Sequence, residues 1–297
     1  MILLLLSLAT FGACMNYSDY LGRNISLPLS AALYSPNPPS CLQKRLNATV
    51  MKEFSVELDG GSVSGLIVTI PYLRTVALTF KSIIPIYYTD TRRSLAIFRF
   101  RVELLDPSDF EHFEELYIPL VKWQHRGRVS KLLAQAYRRL WQNGRMRKRF
   151  QKVMAKRSTQ KVLITGYSLG GGVAALVAVD IVKEDLAKKD QVTLITLGQT
   201  MVGEKTFAEE YEQQVEHSYR VVRRGDFVPQ YPGQHRSYEY NGKEVYYKKY
   251  GMGPKGSTGF EVCEHNDCSG KQVNPLESMY NDVYFKRNVT EYGLKCK

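Results

Sequence analysis

Apolar residues in this chain gather in short unbroken runs rather than in strict alternation. Val162-Leu163-Ile164, Gln191–Leu197, Val76–Phe80 and Gly65–Ile70 are each bounded by glycine, charged or turn-forming residues. Runs of this length predict strands buried on both faces, as in a parallel sheet. Tyr219–Val222 predicts a further strand. Elsewhere the apolar positions recur at helical spacing: Val173, Leu176, Val177 and Ile181; Val129, Leu132, Leu133, Ala136, Tyr137, Leu140 and Trp141; and the short stretch Phe207–Gln214. Strands alternating with helices predict an α/β fold, a mostly parallel central sheet with helices on both faces. Residues 231–250, rich in Tyr and Lys, predict a hairpin or loop layer over the sheet edge. Asn37-Pro38-Pro39-Ser40 marks an N-terminal arm over residues 15–64, ahead of one domain over 65–297.

The first residues read differently. Ile2 to Leu6 is purely apolar and is followed by Ala9, Thr10, Gly12 and Ala13. This predicts a signal peptide over residues 1–14, too short to span a bilayer, and a secreted protein. Cysteine usage is consistent with export. If Cys14 leaves with the signal peptide, four cysteines remain and allow three pairings. Cys263 and Cys268 suit local closure, which leaves Cys41 to pair with Cys296. Cys263, His265 and Cys268 lack a second ligand pair at zinc spacing, so no metal site is expected. Asn16, Asn24, Asn47 and Asn288 stand in Asn-x-Ser/Thr sequons and are candidate glycosylation sites.

Charge adds a second feature. The chain carries a formal net charge of +12. Between Gln124 and Thr165 there are thirteen Lys or Arg and no Asp or Glu. The basic region 126–161 reads either as a solvated helix face or as a surface drawn to anionic membrane, glycan or an acidic partner. Nucleic acid is not an expected partner, since an exported chain rarely meets it and no binding motif is present.

The chemistry is concentrated at Gly166-Tyr167-Ser168-Leu169-Gly170-Gly171, which follows the 162–164 strand and opens a helix. Gly-x-Ser-x-Gly in that context is a nucleophile elbow. Its sharp turn lifts Ser168 above the sheet, and glycine at 166 and 170 keeps the turn free of Cβ atoms. The Leu169 backbone N–H lies where an oxyanion would form. No cofactor is implied. Asp226, at a turn after the 219–222 strand, follows Ser168 in the chain order that this fold uses for the acid of a triad.

Together these residues resemble a class 3 lipase, the fungal lipase-like branch of the α/β-hydrolases. The resemblance runs from about Gly65 to Phe285. It is carried by the elbow, by Thr196-Leu197-Gly198-Gln199-Thr200-Met201-Val202-Gly203, which is similar to the family's Gly-Gln-Pro-Arg-Val-Gly segment, by Tyr219 to Pro229 around Asp226, and by Gly127 to Gly144 ahead of the elbow strand. It implies hydrolysis of acylglycerols or other lipid esters, with Ser168 as nucleophile and Asp226 orienting the base. The chain departs from the family at two places. Asn281 stands at the position of the family's triad histidine, and a one-residue gap puts Asp282 there instead. An amide is not a base near neutral pH. His265 and His235 are the remaining stand-ins; His112, His125 and His217 precede Asp226, against the family order. The family's Phe-Arg-Gly-Thr oxyanion motif is matched by Phe80-Lys81-Ser82-Ile83, where the Ile83 N–H is the second candidate donor. Two functions remain open: a secreted serine carboxylester hydrolase, or a catalytically impaired lipase-fold protein that binds lipid, anionic membrane or a protein partner.

Overall fold

A computed structural model describes residues 15–58, 61–83, 107–157, 160–249, 252–256, 258–263, 268–269 and 283–296. After a π-helical turn at Leu21–Ser26 come α1 (Leu27–Ala32), α2 (Pro38–Leu46) and the strands β1 (Thr49–Leu58), β2 (Gly61–Ile70) and β3 (Thr75–Ile83). Helix α3 (Pro107–Tyr117) precedes the small hairpin β4 (Leu120–Lys122) and β5 (Arg128–Ser130). Next are α4 (Lys131–Tyr137), a π-helical turn at Arg138–Gln142, α5 (Met146–Met154), β6 (Lys161–Tyr167), α6 (Leu169–Lys183), β7 (Val192–Leu197), α7 (Lys205–Gln214) and β8 (His217–Arg223). The chain closes with β9 (Lys243–Tyr247), β10 (Phe260–Cys263), the hairpin β11 (Val283–Tyr284) and β12 (Arg287–Asn288), and α8 (Val289–Leu294).

Eight strands form one sheet in the order β1-β2-β3-β6-β7-β8-β9-β10. The run from β3 to β9 is parallel; β1, β2 and β10 join antiparallel at the edges. Strand β7 is buried along its whole length and β6 along all but Lys161. One face is covered by α3 to α7, through residues such as Leu133, Trp141, Phe150 and Val173. The other is covered by α1, α2 and α8, through Ile25, Leu29, Leu42 and Val289. Of the segment expected as an N-terminal arm, the helices pack on the sheet and residues 49–58 and 61–64 pair into it as β1 and the start of β2. The disulfide Cys41–Cys296 ties α2 to the second residue beyond α8, and Cys263–Cys268 closes a short loop, so neither sulfur of that loop is a thiolate for a metal. Among the described residues no helix is long and apolar enough to cross a membrane.

Two expectations need correction. The apolar spacing that predicts a helix from Val129 fits one only from Lys131. Residues Arg128–Ser130 pair with β4 instead, and Ser130 caps α4 by accepting from the Leu133 N–H at 3.4 Å. A strand and a helix joined end to end mimic one long helical period. Of the hairpin and loop layer expected over 231–250, the described residues 231–249 form no hairpin among themselves; 231–242 run as loop and turns. Their strand β9 adds parallel to β8, and its antiparallel partner is the more distant β10.

The polar residue inside α6 has a structural role. Asp180 is fully buried and accepts hydrogen bonds from Trp141 Nε1 at 2.7 Å and Gln124 Nε2 at 2.7 Å, with His125 Nε2 at 3.3 Å. Arg147 lies 3.8 Å from it and pairs with Glu184 at 2.7 Å. Burial alone would raise the Asp180 carboxyl; the hydrogen bonds from His125, Trp141 and Tyr137 and the charge of Arg147 hold it below its ordinary range. His125 and Arg147 are thus committed to anchoring the basic region on α6.

Candidate active site

The elbow is built by its neighbours. Ser168 has φ 54° and ψ −126°, a conformation that costs a non-glycine residue about 1–3 kcal/mol and persists where packing enforces it. The enforcement is visible. The Ser168 N–H donates to Leu197 O at 2.9 Å, and its carbonyl accepts from the Gly171 N–H at 2.9 Å. A Cβ on Gly166 would sit 2.3 Å from Gly170 O, and one on Gly170 would sit 2.2 Å from Phe80 O. Strand β3 is therefore pressed against the turn, with Phe80 in register with Gly166. Ser168 makes no capping bond to α6, so its hydroxyl is not spent on the helix. The N-terminal amides of α6 face it, where the helix dipole favours negative charge.

Around Ser168 stand Phe113, Leu169, Thr200, Phe227, Val228 and Tyr231, enclosing about 20 Å³ of free space. The rings of Phe113 and Tyr231 stack at 5.6 Å. The Met201 N–H donates to Tyr231 O at 3.0 Å, which fixes the Tyr231 backbone against the segment after β7. This lining is mostly apolar, with Thr200 and Tyr231 the other hydroxyl-bearing residues beside Ser168. It suits an acyl chain, and the rings must swing aside to admit one.

Asp226 follows β8 and is 1% exposed. Its Oδ1 accepts from the Val228 N–H at 3.1 Å and its Oδ2 from the Tyr284 hydroxyl at 2.5 Å. Tyr284 is fully buried, and burial, reinforced by the Asp226 charge, pushes its phenol well above the usual range, so it stays a donor. Its ring packs edge-on to Tyr167, one residue before the nucleophile, at 6.2 Å. Sequence reasoning did not single out Tyr284 for this role, because its contact with Asp226 spans 58 residues. Tyr284→Phe removes one donor from a buried carboxylate and is expected to lower stability by about 1–3 kcal/mol. A denaturant midpoint unchanged from the native chain would contradict that bond.

The remaining candidates are dispersed. His217 opens β8 opposite Thr193, while the elbow lies beyond the Leu197–Val221 pairing at the other end of the strands. Four residues of strand put it about 13 Å or more away. His125 is held at Asp180, His112 is exposed beside Glu115 at 3.6 Å, and His235 is exposed on a one-turn helix. His265, Asn281 and Asp282 lie outside the described residues. Among the described residues no histidine is placed on Ser168. Leu169 opens α6, and Ile83 ends β3 opposite Ser62, three residues past the Phe80–Gly166 pairing. Lys81, at the family's arginine position, donates to Leu33 O at 2.7 Å and lies 4.9 Å above the Tyr34 ring, which pins β3 to the end of α1. Asn16 and Asn47 are exposed; Asn24 and Asn288 are half-buried.

Comparison with known proteins gives a consistent result. Residues 105–236 match the family model of Lipase (class 3). A lipase of Caenorhabditis elegans is 28% identical over 262 residues, covering 86% of this chain and 64% of that protein. A lipase of Rhizopus niveus is 31% identical over 144 residues, covering 46% of this chain and 35% of that protein. Among solved structures, lipase II from Rhizopus niveus superposes with a TM-score of 0.69 at 21% identity, covering 91% of this chain and 93% of that one.

Proposed function

We propose that this chain, a class 3 lipase-like α/β-hydrolase, acts on lipid carboxylic esters of the acylglycerol class, with Ser168 as the attacking group. The observation that carries the reading is the strained Ser168 at the mouth of an apolar pocket, with the buried Asp226 held by Tyr284. In the proposed reaction Ser168 Oγ adds to the acyl carbonyl. The N–H groups of Leu169 and Ile83 receive the oxyanion, as does the N-terminus of α6. The alcohol leaves and water releases the acyl group. Asp226 and Tyr284 position the side on which the proton acceptor stands.

That acceptor sets the rate. With Asn281 in the family's histidine position, the Ser168 proton passes to water or to a displaced histidine, His265 or His235. Removing a triad base from a serine hydrolase costs about 10⁴–10⁶ in kcat, while oxyanion donors and binding alone retain about 10³–10⁴ over water. Slow, Ser168-dependent ester hydrolysis follows, to be compared in the native chain and Ser168→Ala. Asn281 also favours a second reading, in which the site binds a lipid acyl group and turnover is incidental.

We further propose export, with glycans on exposed sequons such as Asn16 and Asn47, and contact with anionic membrane through the basic region. Arg138, Arg139, Arg145, Lys148, Arg149 and Lys152 are exposed there. Arg147 is excluded from that contact by its pairing with Glu184 and Asp180. Charge reversal at Arg138, Arg139 and Arg149 is expected to abolish binding to phosphatidylserine vesicles at low salt, each cation being worth about 1 kcal/mol at such a surface. Vesicle binding that survives the triple reversal would remove the membrane assignment.

A further inference from the structure

On the face covered by α1, α2 and α8, a groove of about 850 Å³ runs between the N-terminal helices and the β11–β12 hairpin. Six cations line it: Arg23, Lys44, Arg45, Lys255, Lys286 and Arg287. They come from four separated stretches of sequence, and among the described lining residues there is no carboxylate. Asp19 pairs with Arg23 at 2.9 Å from a buried position and offsets that one charge, so the positive character of the groove comes from the other five.

The cations are held in place. Arg45 and Arg287 both stack on the Tyr292 ring, at 3.7 and 4.4 Å from its centre. Two guanidinium groups sharing one ring repel each other, a cost that an anion between them would relieve. Lys286 is presented by a tight turn in which Phe285 and Lys286 have φ 52° and 62°. That turn is pinned by the Phe285 N–H to Met252 Sδ at 3.0 Å and by Arg23 lying 4.6 Å above the Phe285 ring. The rim carries a different chemistry. Tyr20 and Tyr72, 48% and 52% exposed, are among the few large apolar side chains left in solvent, and both line this groove.

We propose that this groove binds a linear sulfated oligosaccharide. Concavity separates that partner from a membrane: a single polyanionic chain lying along the groove meets cations from both sides, Lys44 and Arg45 on α2 and Lys286 and Arg287 on the hairpin, whereas a flat bilayer meets only the outer edge. The exposed tyrosine faces suit the apolar faces of pyranose rings, which a bare polyphosphate lacks. Cations in such number set affinity and its dependence on salt; the aromatic rim sets selectivity for sugar.

The test is titration of the full chain, freed of N-glycans because Asn24 lines the groove, with a heparin-derived octasaccharide. Expected is saturable binding that weakens as salt rises. Lys255→Ala/Lys286→Ala/Arg287→Ala should lower affinity at least tenfold and flatten the salt dependence. Tyr72→Ala should weaken octasaccharide binding about threefold and leave polyphosphate binding unchanged. Arg138→Glu/Arg139→Glu, on the opposite face, should bind like the native chain. All three variants change exposed side chains, and unchanged thermal midpoints show that each is folded. Octasaccharide binding that is indifferent to the triple substitution overturns the proposal. So does tighter binding of polyphosphate or phosphatidylserine vesicles that is equally indifferent to Tyr72.

Discussion

Asn281→His is expected to raise kcat/KM on a short-acyl ester by about a hundredfold or more, the contribution of one well-placed general base. The expectation follows from what the site retains. The nucleophile is strained and free of a helix-capping role, and Asp226 is buried with a carboxylate oxygen on Tyr284, three residues after position 281. By the family resemblance an imidazole at that position would take the triad base's role, and Asp226 is the orienting carboxylate already in place. The gain should appear with a pH profile that rises with pH, because only the neutral imidazole accepts the Ser168 proton. Its midpoint should lie near the ordinary histidine value of about 6.5. Native chain and Asn281→His with the same rate and the same pH profile would place the working acceptor elsewhere, with His265 and His235 the first to be replaced.

Gly170→Ala is expected to be among the most damaging single-methyl additions to the described residues. A Cβ there would lie 2.2 Å from the carbonyl oxygen of Phe80, a backbone atom of β3 that is locked between β2 and β6. Neither partner has a flexible end to move, so either the elbow opens or β3 shifts. The expected loss exceeds about 3 kcal/mol, the range in which overpacking and backbone conflict combine. Gly172→Ala is the control. Its added Cβ meets Leu133 Cδ1 at 2.7 Å, the far end of a side chain, and a smaller loss is expected. Equal denaturant midpoints for Gly170→Ala and the native chain would show that β3 does not hold the elbow as described.

What could be read from the sequence was what is local in it. The β6–Ser168–α6 unit is continuous in the chain, and its apolar run, glycines and helical spacing all point the same way, so the element and its chemistry were legible together. The central strands β3, β7 and β8 were legible because burial on both faces leaves mostly apolar, β-branched runs with few polar interruptions such as Arg220. Strand β1 was not, since as an edge it alternates half-buried with exposed residues such as Lys52, Glu53 and Glu57, a pattern suited to discouraging further pairing. Contacts across long sequence separations were also hidden. Nothing near Asp180 announces Trp141 as its donor, and nothing near Asp226 announces Tyr284. The net charge was plain, yet its convergence into a groove came from residues as far apart as Arg23 and Arg287. The basic stretch around Arg147 illustrates the reverse: one of its cations is an internal ion-pair partner rather than surface charge.

The account rests most heavily on Ser168 as the reacting group. The most direct measurement is hydrolysis of short- and long-acyl esters by the full, disulfide-intact chain beside Ser168→Ala, at enzyme concentrations high enough to detect slow turnover. Ester cleavage in the native chain that disappears in Ser168→Ala is the predicted result. Identical rates in the two proteins, at or above the uncatalysed background, would contradict it.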